Sequence, residues 1–235
     1  MEPVSFATRS AQGIASGSLA ALARWPVKSL GGEWLDRAQL TRGGVEGDRR
    51  YTVIDLQSGG TLSAAEHPQL LTWTAGGSTI RDAEGREWAL GDAATCRALS
   101  AELERTVTLR RHPDGQHYHP GTVLVTVEGS RLELERELGE PVDVRRFRPN
   151  LHLQLDCEPF AELGWTGNTL RVGDATLEFL HPCDRCVIAA RDPDTGQKRP
   201  ELLRLLNRRH DLLFGIFAVV REAAAIEVGD AARVE

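Results

Sequence analysis

A mainly β protein with a few short helices, closed into one or possibly two β-barrels, is what this 235-residue sequence predicts. Three observations carry the prediction. Short runs of alternating or β-branched apolar residues recur along the chain, turns centred on Gly and Asp separate them, and only three stretches carry helical spacing. With 41% hydrophobic and 26% charged residues the chain has the composition of a globular protein able to bury a core. At this length one large β-rich domain or two packed modules are expected.

Taken in order, residues 19–30 form an apolar run broken by Pro26, and 33–40 alternate weakly behind the Gly31-Gly32 turn. Residues 51–55 read as a strand closed by Gly59-Gly60, and further short strands are expected near 70–75, 78–82 and 86–90. A helix is expected over 93–105, where Leu99 and Leu103 share a face. The β-branched run Thr122–Val127 predicts the firmest strand of the middle, followed by a helix over 130–138 and a strand over 151–155. Residues 169–180 predict a hairpin turning at Gly173-Asp174. Beyond Cys186 a strand, a turn-rich loop at 192–196, a helix over 200–207 and final strands at 214–221 and 225–234 complete the chain. Residues 112–121 lack apolar periodicity and suit a linker or a loop over a site.

A net charge of −6 gives non-specific nucleic-acid binding no global support. No apolar run approaches the roughly 20 residues of a membrane span, and Met1-Glu2-Pro3 does not open an export leader, so neither membrane insertion nor export is expected. Four unevenly spaced cysteines do not make a disulfide framework and fit a reducing cytoplasm. Lys28 and Lys198 are the only lysines among 28 basic residues, which draws attention to each.

Cys183-Asp184-Arg185-Cys186 is the strongest local signal for chemistry. Two thiols at this spacing can be half of a zinc site, a redox pair, a single thiolate on a softer metal, or buried and inert. His117 and His119 flank Tyr118 and read either as a metal clamp or as a solvated loop. Lys28-Ser29 behind Pro26-Val27, Arg49 beside Asp48, and Arg148 with Asn150 around Pro149 are suited to an anion.

In sequence order these motifs resemble the MOSC family, named for the C-terminal domain of molybdenum cofactor sulfurase. Residues 25–29, 41–45 and 47–51 are similar to the N-terminal β-barrel module that accompanies it. Residues 147–150, 170–174, 182–186, 192–196 and 214–217 are similar to the MOSC domain itself. The resemblance implies two β-barrel-like modules, residues 1–115 and 116–235, packed around a cofactor cleft. It further implies a molybdenum–molybdopterin cofactor, with phosphate near Lys28, Ser29 and Arg49 and pterin near Arg148 and Asn150. Cys186 is then the thiolate ligand to molybdenum and Cys183 its neighbour.

In the branch similar to the amidoxime-reducing components, the implied reaction is reduction of N-hydroxylated or related N–O substrates. The chain shows no four-cysteine iron–sulfur signature and no Gly-rich nucleotide turn, so a partner protein is expected to supply electrons. Two departures stand out. The Arg-Gln pair usual in the family is replaced around Ala64-Ala65, and an acidic proton donor of the reductases is replaced by the segment holding His117 and His119, where an imidazole can deliver protons. Two further classes remain open. One is persulfide transfer, with a separate cysteine desulfurase loading the chain in place of an intrinsic pyridoxal-phosphate domain; the other is non-catalytic cofactor carriage.

Overall fold

The computed structural model describes residues 14–112 and 121–235. From its start the chain is extended over β1 (Ala15–Arg24), then turns back through β2 (Glu33–Leu35), β3 (Arg37–Thr41) and β4 (Gly44–Val45) into β5 (Tyr51–Asp55). Next come β6 (Thr74–Gly76), β7 (Thr79–Arg81), β8 (Glu87–Ala89), helix α1 (Ala93–Leu103) and β9 (Val107–Arg111). Then follow β10 (Thr122–Val127), α2 (Glu128–Leu138), β11 (Leu151–Leu155), β12 (Thr169–Val172) and β13 (Ala175–Asp184). Helix α3 (Pro200–Arg209), β14 (Leu213–Glu222), β15 (Ala225–Glu227) and β16 (Ala231–Val234) end the chain.

Seven strands close a barrel in the order β11-β10-β14-β13-β12-β16-β1, with β1 returning to pair antiparallel with β11. Only β10 and β11 in this barrel run parallel, and α2 is the crossover that a parallel pair requires. β1 lies in the first part of the sequence, yet it completes the barrel of the second, and β15 reciprocates by pairing with β3. The two parts are therefore interleaved at the level of main-chain hydrogen bonds.

All six residues of β10 are buried, because both of its faces are covered. Val123, Val125 and Val127 enter the barrel core with Leu19, Leu22, Leu151, Leu153 and Phe179. The alternate residues face outward, where Thr126 pairs with His152 at 2.8 Å. A second core, built on Leu30, Val53, Leu70, Trp73, Ile80 and Leu99, underlies the N-terminal sheets. A third joins Leu134 of α2 and Leu202, Leu205 and Leu206 of α3 to the stacked rings of Phe147 and Phe214.

Helix α1 begins where Asp92 accepts from the Ala94 N–H, and it buries Thr95, Leu99 and Leu103 at four-residue spacing. Pro200 opens α3 with its φ already set. Among the described residues, no helix is long and apolar enough to cross a membrane.

Two strand expectations are corrected. Residues 68–72 form a turn of 3-10 helix and only 74–76 are extended. Pro68 opens that turn, which lets the successive Leu70 and Leu71 both face the core; a strand would turn one of them outward. For the same reason residues 187–190, expected as a strand after Cys186, are a 3-10 turn that buries Ala189 and Ala190 together. Strand β9 is not read from the sequence, since Arg110 and Arg111 break its alternation; it pairs with β5 along its full length.

Candidate functional site

The short turn behind Cys186 fixes the thiol between modules. Ile188 packs against the N-terminal core while the next residue, Ala189, is buried in the core of α2 and α3. Cys186 itself is exposed, whereas Cys183 on β13 is buried, and burial pushes the Cys183 thiol pKa up. The two cysteines are thus chemically unequal. Cys186 opens into a cavity of about 260 Å³ that is also lined by Arg49, Arg148, Asn150, Cys183 and Arg185.

Each cation here has a distinct support. Asp48, 1% exposed, accepts from the Trp25 N–H at 2.8 Å and from Arg49 Nη1 at 2.5 Å. Arg49 Nη2 donates to the Arg148 carbonyl at 3.1 Å, which ties the N-terminal module to the turn before β11. Arg185 donates only to main-chain oxygens in its hydrogen bonds, two to Phe214 and one to Phe147, and burial lowers its pKa. Arg148 lies over the Trp25 ring at 4.4 Å, and the Trp25 Nε1–H donates to the Pro149 carbonyl at 2.8 Å. Burial, with Arg49 adding to it, pushes the Arg148 pKa down to about 9, so it remains a cation at neutral pH.

One nitrogen of Arg148, Nη2, is buried without a hydrogen-bond partner. Such a group is costly to leave unmatched, and it marks a place where a ligand acceptor belongs. Charge on Cys186 is felt by both Arg148 and Arg185, so an anionic sulfur would have two nearby counterions. Among the described residues no cluster of three or more His, Cys, Asp or Glu is placed to hold a metal, and no such cluster completes a zinc site around Cys183 and Cys186.

Asn150 is committed to the fold. Its Oδ1 accepts from the Leu124 N–H at 3.1 Å and from Arg49 at 3.3 Å, and its Nδ2 donates to the Ala23 carbonyl at 3.3 Å. It pins β1, β10 and Arg49 together at the cavity wall. Ser29, Arg49 and Arg148 all have φ in the left-handed region, at 76°, 47° and 54°. Non-glycine residues held there mark sites where the surroundings over-determine a strained backbone.

Arg49, Arg148, Asn150 and Cys186 are therefore brought to one cavity. Lys28 and Ser29 line neither this cavity nor the larger one beside it. Lys28 is half-buried, its N–H donating to the Tyr51 carbonyl at 2.9 Å, and burial lowers its side-chain pKa. His117 and His119 lie outside the described residues. At the departure around Ala64-Ala65, Ala64 is a core residue, and Arg191 of the other module reaches the Ala65 carbonyl at 3.5 Å. Sequence reasoning missed Arg191 and Arg146 as cavity residues, as well as the part Trp25 plays beneath Arg148; their roles come from contacts between distant segments.

Comparison with known proteins gives a consistent result. The MOSC domain matches residues 113–233 and the MOSC N-terminal beta barrel domain matches residues 16–84. The chain is 26% identical to human "Mitochondrial amidoxime-reducing component 1", over 91% of this chain and 82% of that protein. It is 36% identical to "Molybdenum cofactor sulfurase" of Drosophila mojavensis, over 37% of this chain and 11% of that protein. Among solved structures, the YuaD protein of Bacillus subtilis aligns over 95% of this chain and 98% of its own, with a TM-score of 0.52 and 15% identity, a likeness of fold.

Proposed function

This chain belongs to the MOSC domain family, and we propose that it holds a molybdenum–pterin cofactor against Cys186 and reduces N-hydroxylated substrates with electrons from a partner protein. One observation carries the reading. An exposed thiol shares its cavity with Arg148, whose buried Nη2 has no partner. Thiolate is a fitting ligand for a soft redox metal, and the acceptor atoms of a pterin match an unpartnered guanidinium. The relationship to the human amidoxime-reducing component and to a molybdenum cofactor sulfurase supports the same cofactor class.

When bound, the cofactor supplies two-electron exchange at the metal. The chain's own residues do the rest. Cys186 presents the sulfur, Arg148 and Arg185 keep positive charge beside it, and Asp48 and Asn150 hold Arg49 in place at the wall. The net reaction takes a hydroxylamine-type N–OH, two electrons and two protons to N–H and water. His117 or His119 delivers protons in this reading, at the neutral pH where an imidazole exchanges them. The described cysteines are all free thiols, which fits a cytoplasmic setting.

An exposed Cys186 also fits persulfide transfer, with a cysteine desulfurase as the sulfur source. One experiment separates the readings. Parent, Cys186→Ser and Cys183→Ser proteins made in a cofactor-competent host are analysed for molybdenum, pterin and persulfide, then assayed with an amidoxime and an artificial electron donor. Molybdenum and turnover are expected in the parent, retained in Cys183→Ser and lost in Cys186→Ser. Equal behaviour of the two variants, or no molybdenum in the parent, overturns the proposal. A persulfide on Cys186 without molybdenum selects sulfur transfer, and bound cofactor without turnover selects carriage.

A further inference from the structure

Beside the Cys186 cavity lies a second of about 370 Å³, walled on one side by the N-terminal module and on the other by the segments at 145–148 and 188–194. Arg146, Arg148 and Ile188 line both, so the two cavities share a wall. The charged groups of the larger cavity are unevenly neutralised. Glu33 is held by Arg24, Asp82 by Arg86, and Arg81 by Glu87. Arg145 is gripped by Asp143 and Asp194, each at 2.7 Å.

Three guanidinia remain. Arg191 donates to the Gly196 and Ala65 carbonyls, and its Nε is buried with no partner. Arg148 has its unpartnered Nη2. Arg146 donates to the Arg191 carbonyl at 2.7 Å, which sets the two side by side, and it meets a carboxylate only at 3.4 Å, on Asp192. Both orphaned nitrogens belong to residues lining this one cavity.

We propose that Arg146, Arg148 and Arg191 form a binding site for a tetrahedral oxyanion, specifically the phosphate of a phosphate monoester, in the cavity adjoining Cys186. A carboxylate offers two coplanar oxygens and suits one guanidinium fork; three guanidinia on one wall call for the three acceptor oxygens of a phosphate. The site lies away from Lys28 and Ser29, which do not line this cavity. The cofactor's own phosphate is expected near Lys28, Ser29 and Arg49, none of which lines this cavity, so the phosphate bound here belongs to a substrate, an assignment that rests on the proposed function.

The test uses cofactor-free protein and inorganic phosphate as the probe, so it stands apart from the molybdenum reading. Trp25 and Trp34 line the cavity and report binding by fluorescence, with calorimetry alongside and chloride at matched ionic strength as the reference. Saturable phosphate binding is expected. Arg191→Gln and Arg146→Gln should each weaken it at least tenfold, Arg191→Lys less, and Arg204→Gln on the exposed face of α3 not at all. Circular dichroism checks that each variant is folded; should Arg191→Gln fail to fold, Arg191→Lys and Arg146→Gln decide. Cofactor-loaded protein is expected to retain phosphate binding; its loss there would assign the site to the cofactor's own terminus and overturn the proposal. No saturable binding beyond chloride, or unchanged affinity in both Arg146→Gln and the folded Arg191 variants, overturns the proposal.

Discussion

Glu162 is fully buried and feels the charge of Arg185, a residue of the Cys186 cavity, and its replacement by glutamine gives a quantitative test of how that burial is tolerated. Ser130 Oγ donates to Glu162 Oε2 at 2.7 Å while accepting from the Phe160 N–H at 2.8 Å, and Glu162 Oε1 is buried without a partner. Burial dominates and pushes the carboxyl from the ordinary 4.5 to about 7, although Ser130, nearby main-chain N–H groups and Arg185 favour the anion. The folded protein therefore keeps a proton that the unfolded chain releases.

The sign follows from that difference. Below pH 4.5 both states are protonated and Glu162 costs nothing. Between 4.5 and about 7 the folded state binds more protons, so stability falls as pH rises; above about 7 the penalty is complete. The gap corresponds to roughly 3 kcal/mol in full, and to roughly 2–3 kcal/mol between pH 5 and pH 8. Glu162→Gln keeps the shape and removes the titration. Urea unfolding of parent and variant at both pH values is the assay, because the other titrating groups cancel in the comparison. The variant should gain roughly 2–3 kcal/mol relative to the parent on going from pH 5 to pH 8. A gap independent of pH would refute the reasoning, since Glu162 would then be ionised in both states or in neither.

Asp48→Ala removes a buried carboxylate from the Trp25 N–H and from Arg49, leaving a partly enclosed cation beside Arg148. A loss of about 3–5 kcal/mol is expected in chemical denaturation, and a loss below about 1 kcal/mol would mean that Arg49 is held by its main-chain and Asn150 contacts alone. Gly215→Ala forces a side chain onto φ +73° and places Cβ 2.6 Å from the Val125 carbonyl oxygen and 3.4 Å from Arg185 Nη2. The combined strain and overlap should cost at least about 1–3 kcal/mol and disturb Arg185; equal thermal stability would contradict this close approach.

What was legible in the sequence follows from how local its cause is. Strand β10 and β11 have the expected bounds because their apolar residues are buried whichever strand lies beside them. The turn at Gly173-Asp174 likewise needs only its own residues, with Gly173 at φ 52°. The two helical turns at 68–72 and 187–190 were hidden because consecutive apolar residues suit a strand buried on both faces as well as a turn buried on one side. Closure of the barrel by β1 was out of reach, since it depends on pairing Leu22 with Leu151 across most of the chain.

The candidate site shows the same division. Arg49, Arg148, Asn150 and Cys186 could be named from their motifs, but a motif does not say what each side chain is for. Arginine gives no warning of a positive φ as glycine does, yet Arg49 and Arg148 are both held there. What holds them is visible only in three dimensions: the Asp48 carboxylate, the Trp25 ring and the Asn150 amide. Asn150 spends Oδ1 on the Leu124 N–H and Arg49, and Nδ2 on the Ala23 carbonyl, so its contribution is to place Arg49 rather than to grip a ligand through its oxygen. The unpartnered donor at this wall is Arg148 Nη2. The side chain that ties β1 to β10 also places Arg49 at the cavity wall, so the packing of β1 and the position of that cation depend on one residue.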